Sequence, residues 1–267
     1  MGFAHFDGGQ PHSTLILNLV RNTIDFVELF QFGKLHAEDW YQLLNAGFRV
    51  VGNAGSDFPA NLPAYESWPR AFPLLGPERA LVRAKAGESA YDAWAEGVRG
   101  GTAVVSNGPL LEFSANRKTS GAIVPWSGSS RRIEGVARAF FHRPIEKVEI
   151  IANGRIVAVQ TGDLRSTDLS LHFSFRIHES TWIAARTKSR SLAGESEIWA
   201  HANPAYFLKD GNPVHLQDDR EAVRARWAKE TQYYRSPALR FSNPGQRREL
   251  LSLVEKTDRI LAAPPAP

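Results

Sequence analysis

Two residues stand where a parallel α/β fold does its chemistry. His5 closes the short stretch "GFAH", and Asp57 follows "FRVVGNAGS", an apolar run that ends in small residues before a carboxylate and a proline. If both stretches are parallel strands, their C-terminal ends are where ligands bind in such folds. Imidazole nitrogen and carboxylate oxygen together suit zinc, manganese or iron. Gly52, Gly55 and Ser56 let the backbone turn tightly enough to aim Asp57 into a cleft. By type alone both residues also have plain structural readings. An aspartate after Gly-Ser is commonly a turn or cap residue, and a histidine beside an apolar strand is commonly a hydrogen-bonded packing residue. Three more side chains are candidates for the cleft: Glu28 in "IDFVELF", otherwise a solvated or helix-facing carboxylate; His12, through its nearness to His5; and Asn107 in "SNGPLL", otherwise a turn residue. His36 reads as helix N-terminal decoration and His201, in "AHANPAYF", as packing or a hydrogen bond.

The elements that must position these residues follow from periodicity. "GFAHF", "IDFVELF" and "FRVVGN" read as strands, "STLILNLVRN" as a helical turn or two, and "HAEDWYQLLNAG" as a helix stopped by Gly47. That rhythm predicts parallel βα units, with too few strands before residue 60 to close a barrel. Residues 58–87 hold five prolines and no period, which predicts a long loop. "ESAYDAWAEGVRGG" predicts a helix ending at a Gly pair. The pattern then changes. "DLSLHFSFRI" alternates strictly, as a half-buried antiparallel strand does, and "KVEIIANGRIVAV" is two strands around Asn153-Gly154, a two-residue hairpin signal. Short strands at this spacing predict a β-sandwich. Helices are predicted over 218–234 and 244–262. The fold class expected is α+β in two parts: a partial βα unit over 1–117, a β-sandwich over 118–215, and C-terminal helices over 216–267 packing on the core.

The chain of 267 residues is 43% hydrophobic and carries a formal net charge of +4, with its 32 Lys and Arg spread rather than blocked. That argues against a nucleic-acid partner, since no basic-aromatic interleaving accompanies it. The absence of cysteine excludes disulfides, thiol chemistry and Cys-zinc sites. "TLILNLV", the longest apolar-rich run, is far shorter than the roughly 18 residues of a membrane span. The opening "MGFAHFDGG" has no signal-peptide pattern, and the compartment stays open.

The blocks "GFAH", "WYQLLNAGFRVVGNAGSDFP", "SAYDAWAEGVRGGTAVVSNGPLLEF", "VEIIANGRIVA" and "AHANPAYF" occur in that order, and the series resembles the PHP (polymerase and histidinol phosphatase) superfamily in its carbaryl-hydrolase-like branch. The resemblance implies a distorted βα barrel, here only its later half, followed by a β-rich domain. It also implies divalent-metal-dependent hydrolysis of a small-molecule phosphoester, carbamate or other ester. On it, His5 matches a metal-ligating histidine after a middle-to-late barrel strand, and Asp57 matches the aspartate of the last metal motif. The sequence also departs from the family. It has no His-X-His, and Asp57-Phe58-Pro59 replaces the Asp-X-His of many relatives. A catalytic metal needs about three protein ligands and an open position, so a divalent metal is expected to bind weakly or not at all and hydrolysis by this chain alone to be weak or absent. The reading kept beside this one is non-catalytic: a β-sandwich module that binds a ligand or partner and carries a degenerate half-barrel. A three-strand parallel fragment has an unpaired edge, so either self-association or cover from the chain's own helices is expected.

Overall fold

The structure, a computed structural model, describes residues 2–4, 14–31, 33–56, 76–193 and 195–263. The first unit is an open sheet. Strands β1 (Gly2–Phe3) and β2 (Phe26–Gln31) run parallel. A two-residue strand, β3 (Lys34–Leu35), turns back on the end of β2. Helix α1 (Leu15–Val20) lies between β1 and β2 in the chain, α2 (Ala37–Asn45) follows β3, and β4 (Val51–Ala54) then pairs parallel with β2. The parallel order is therefore β1-β2-β4. Helix α2 forms for local reasons. Glu38 and Asp39 in its first turn oppose the helix dipole, Trp40, Tyr41, Leu43 and Leu44 supply a buried stripe, and Gly47 at φ 102° ends it beyond the reach of an L side chain.

The chain then enters two larger sheets through β5 (Arg79–Leu81), α3 (Ala90–Arg99), β6 (Val104–Ser106), β7 (Leu110–Ala115), β8 (Ile123–Trp126), β9 (Arg131–Phe140), β10 (Ile145–Ala152), β11 (Arg155–Thr161), β12 (Asp168–Ile177), β13 (Thr181–Ser189), β14 (Ile198–Ala202) and β15 (Ala205–Lys209). An eight-stranded sheet has the order β11-β10-β13-β14-β6-β5, with β15 pairing β13 and β8 pairing β15; the other sheet is β12-β9-β7. The β10–β11 hairpin turns at Asn153 (φ 45°) and Gly154 (φ 81°), the doubly positive pair that matches strand twist.

The large sheet is a middle layer. Along β13, Trp182 and Ala184 join the core shared with the first unit, while Ile183 and Ala185 join the core shared with β7, β9 and β12. On β15, Tyr206 and Leu208 face the first core and Ala205 and Phe207 the second. Both faces are dry, so "TWIAA" is apolar without alternation. The outer strand β12 buries Leu171, Phe173 and Ile177 and exposes His172, Ser174 and Arg176, as its alternating sequence predicts.

Two expectations shift here. The sandwich was expected to begin at 118, yet β5, β6 and β7 already pair within its two sheets. Residues 79–81, expected in the loop, form a strand whose three pairs to β6 are too few to leave a period in sequence.

Helices α4 (Gln217–Arg235) and α5 (Pro244–Ala262) pack against α1, α2 and each other. Glu230 Oε1 accepts the buried amide of Ile16 at 3.1 Å, so α4 caps the first turn of α1. Arg220 and Arg224 donate to the terminal carbonyls of α5, both reaching Leu261 O. Among the described residues, the side of β4 away from β2 is met by an amide rather than a strand. Asn203 Oδ1 accepts from Gly52 N at 2.8 Å while its Nδ2 donates to Gly52 O at 2.9 Å and Ala103 O at 2.8 Å.

Candidate functional site

The C-terminal edge of the parallel strands is built by β2 and β4. Register pairs Val27 with Gly52 and Glu28 with Asn53, then skips Leu29 so that Phe30 meets Ala54. This bulge lies at the edge where ligands bind in such folds, a common place to re-aim side chains. Paired residues of neighbouring strands share a face, so the half-buried Glu28 carboxylate and the buried Asn53 amide stand side by side. Gly55 lies close to the Glu28 carboxylate, and a Cβ at 55 would displace Glu28 Oε1. Asn53 Oδ1 is buried with no hydrogen-bond partner among the described residues. A carbonyl oxygen without a donor beside a carboxylate is a pair of hard oxygen ligands, the donor type that manganese and similar divalent cations take.

The turn after β2 completes the rim. Glu78 accepts the amide of Gly33 at 2.6 Å, and Ser196 packs where a Gly33 side chain would sit. Asn107 serves this wall indirectly. Its Oδ1 accepts from Trp199 N at 2.8 Å and its Nδ2 donates to Glu197 O at 2.8 Å. Both ends of the amide are thus committed to fixing the segment that carries Ser196.

His5, His12 and Asp57 lie outside the described residues. In the sequence, His5 comes two residues after β1 and Asp57 three after β4, and these strands flank β2 in parallel. Among the described residues no three His, Asp or Glu side chains gather at metal-binding distance. Sequence reading missed Asn53, Gln31 and Glu78. The first is visible as the polar residue inside "VVGNAG"; Gln31 Nε2, also buried without a partner among the described residues, and Glu78 carry no sequence signal.

A second polar cluster lies where α2 meets the large sheet. His201 is fully buried, its Nδ1 donating to Ala202 O at 2.8 Å; Nε2 is therefore bare and accepts from Tyr41 Oη at 2.5 Å. Burial, helped by the charge of Arg186, pushes the imidazole down to about 3, and it is neutral. Burial likewise raises the Tyr41 phenol. Nearby, burial works to raise the Glu149 carboxyl, but hydrogen bonds from Lys147 and Arg186 outweigh it and hold the group below the usual carboxylate range. The Tyr41–His201 pair joins the two units, with His201 fully buried and Tyr41 nearly so. His36 sits at the N-cap position of α2, where its backbone carbonyl accepts from Trp40 N.

No family model and no curated protein matches the chain.

Proposed function

We propose that the protein is the metal-binding and C-terminal portion of a divalent-metal-dependent hydrolase of small-molecule ester, carbamate or phosphoester bonds, with a PHP-type half-barrel as its first unit. The observation that supports this reading is the parallel order β1-β2-β4, which sends the chain toward His5 and Asp57 from the two strands flanking Glu28. The orphaned carbonyl oxygen of Asn53 and the glycine cradle at Gly55 fit a cation held against Glu28. His5, Glu28 and Asp57 would hold it, with Asn53 as a neutral oxygen donor. When bound, the cation supplies Lewis-acid activation of water and of the scissile ester. The Glu28 carboxylate lies close to Gly55, and the rim from Gly33 to Glu78 limits access. This set contains one histidine, and the chain lacks a His-X-His, so full activity requires ligands supplied by a further polypeptide segment.

The test is a manganese titration followed by the loss of the free-ion paramagnetic signal. The wild-type chain binds weakly, and His5→Ala, Glu28→Gln and Asp57→Ala each weaken binding by about tenfold or more. Turnover of p-nitrophenyl phosphate or a naphthyl ester stays at background until an upstream His-X-His segment is supplied, fused or in trans, and then rises with metal occupancy. Unchanged manganese affinity in all three variants rejects the reading.

A further inference from the structure

At the opposite end of β4 from the metal edge lies a cleft of about 560 Å³. Three strand rises, about 10 Å, separate the two ends. The volume falls within the range of small-molecule sites. Its walls come from both units: Leu19, Ile24, Phe48 and Val50 from the first, Ile123 and Tyr206 from the second. These apolar walls alternate with polar surface, so the lining is mixed. Two cationic side chains, Arg49 and Arg99, open onto it, and no carboxylate is among its lining residues. Neither arginine forms an ion pair with a described residue.

The floor is bare backbone. Gly121 stands at φ 79° with its α-carbon against Gly100 and Gly101, and a Cβ there would collide with Gly100 O. Glycine is required for that approach, which keeps the floor open. Tyr206 is among the polar residues of the wall. The Tyr206 side chain is 7% exposed, and its hydroxyl makes no hydrogen bond to any described residue. Burial raises this phenol and the charge of Arg49 opposes the rise, which places that guanidinium within electrostatic reach of the hydroxyl.

We infer that this cleft binds a small amphipathic anion, a phosphate or carboxylate group carried on an apolar body. The anion would lie between Arg49 and Arg99, accept from the Tyr206 hydroxyl, and rest its apolar part on Phe48, Val50 and Ile123. Guanidinium forks match both oxyanions, and their charge-assisted hydrogen bonds are stronger than neutral ones. The site is independent of the proposed metal edge and stands if that proposal fails.

Isothermal titration of the full chain with phenyl phosphate, in the presence of EDTA, tests it. Benzoate and inorganic phosphate are the arms that separate carboxylate from phosphate and headgroup from body; phenol is the uncharged control. Phenyl phosphate or benzoate is expected to bind saturably at one site per chain, more tightly than inorganic phosphate, and phenol not at all. Arg49→Gln with Arg99→Gln weakens binding by about tenfold or more, Tyr206→Phe weakens it less, and Glu28→Gln leaves it unchanged. Both arginines are exposed, so their replacement leaves the thermal melt in place. Absence of saturable heat with both organic anions, or equal affinity in the double variant, overturns the inference. Loss of binding in Glu28→Gln does so as well, because it would place the ligand at the metal edge.

Discussion

The neutral state of His201 makes a prediction about acid stability. Its imidazole falls from 6.5 to about 3 in the folded chain, so the unfolded chain binds more protons between those values. The contribution is complete above pH 6.5 and is lost progressively as pH falls toward 3. At pH 5 the loss amounts to about 2 kcal/mol relative to pH 7. Urea midpoints of wild type and His201→Gln, compared at both values, check this: the wild-type chain loses more, and parallel pH profiles would contradict it. Residue roles were only partly legible in the sequence. His201 read as a packing or hydrogen-bonding residue because it sits in an apolar stretch, and so it proves. Its partner Tyr41 lies 160 residues away, a pairing that no local pattern encodes. Asn107 read as cleft or turn because an Asn-Gly-Pro sequence shows only that a turn exists, not that the amide is committed to β14.

Elements depend on a few amides that cross between them. Asn203 stands in for a missing strand at Gly52, so Asn203→Ala leaves a buried donor and acceptor of β4 unpaired. A loss of about 1–3 kcal/mol is expected, together with concentration-dependent association through the freed strand edge; equilibrium denaturation and sedimentation velocity measure the two. Asn45 ties three elements at once, accepting from Trp182 Nε1 at 2.7 Å and donating to Asp219 at 3.0 Å. Asn45→Ala is expected to cost about 1–3 kcal/mol, and Asn45→Asp, which keeps the acceptor but puts a charge beside Asp219, no less. The strands, the β10–β11 hairpin and the helices were legible because each has a strong local period or turn signal. The membership of β5 to β7 was not, because which sheet a short strand joins is decided by distant partners. Nor was the double burial of the middle sheet: "TWIAA" reads equally as any fully buried segment, and only the two cores on either side distinguish it.

At the scale of the whole molecule, the first unit and the C-terminal helices form one hydrophobic core that includes Leu15, Ile16, Trp40, Val223, Trp227 and Val254. Among the described residues, no helix is long and apolar enough to cross a membrane, and the apolar face of α1 is covered by α4 and α5 instead. A chain ending before Gln217 is therefore expected to bind a hydrophobic dye and to lose its cooperative melt in the first unit, while the paired sheets of residues 79–209 retain their strand signature. An unchanged melt and no dye binding would show that the helices are dispensable. Charge spread and a missing basic cluster were readable from composition, but the division of one core between the two ends of the chain was not. The Glu230 cap on Ile16 has a consequence for synthesis. The two residues are 214 positions apart, and at ribosomal speed that interval is roughly 10 to 45 s. Throughout it the nascent N-terminal segment has its apolar helix and its parallel strands without their cover. The sheets of the middle segment, whose strands all lie between Arg79 and Lys209, are complete before α4 emerges. A segment translated later thus closes one made well before it, and a stalled nascent chain lacking α4 will present that earlier segment to chaperones and proteases while the sheets between them are already formed.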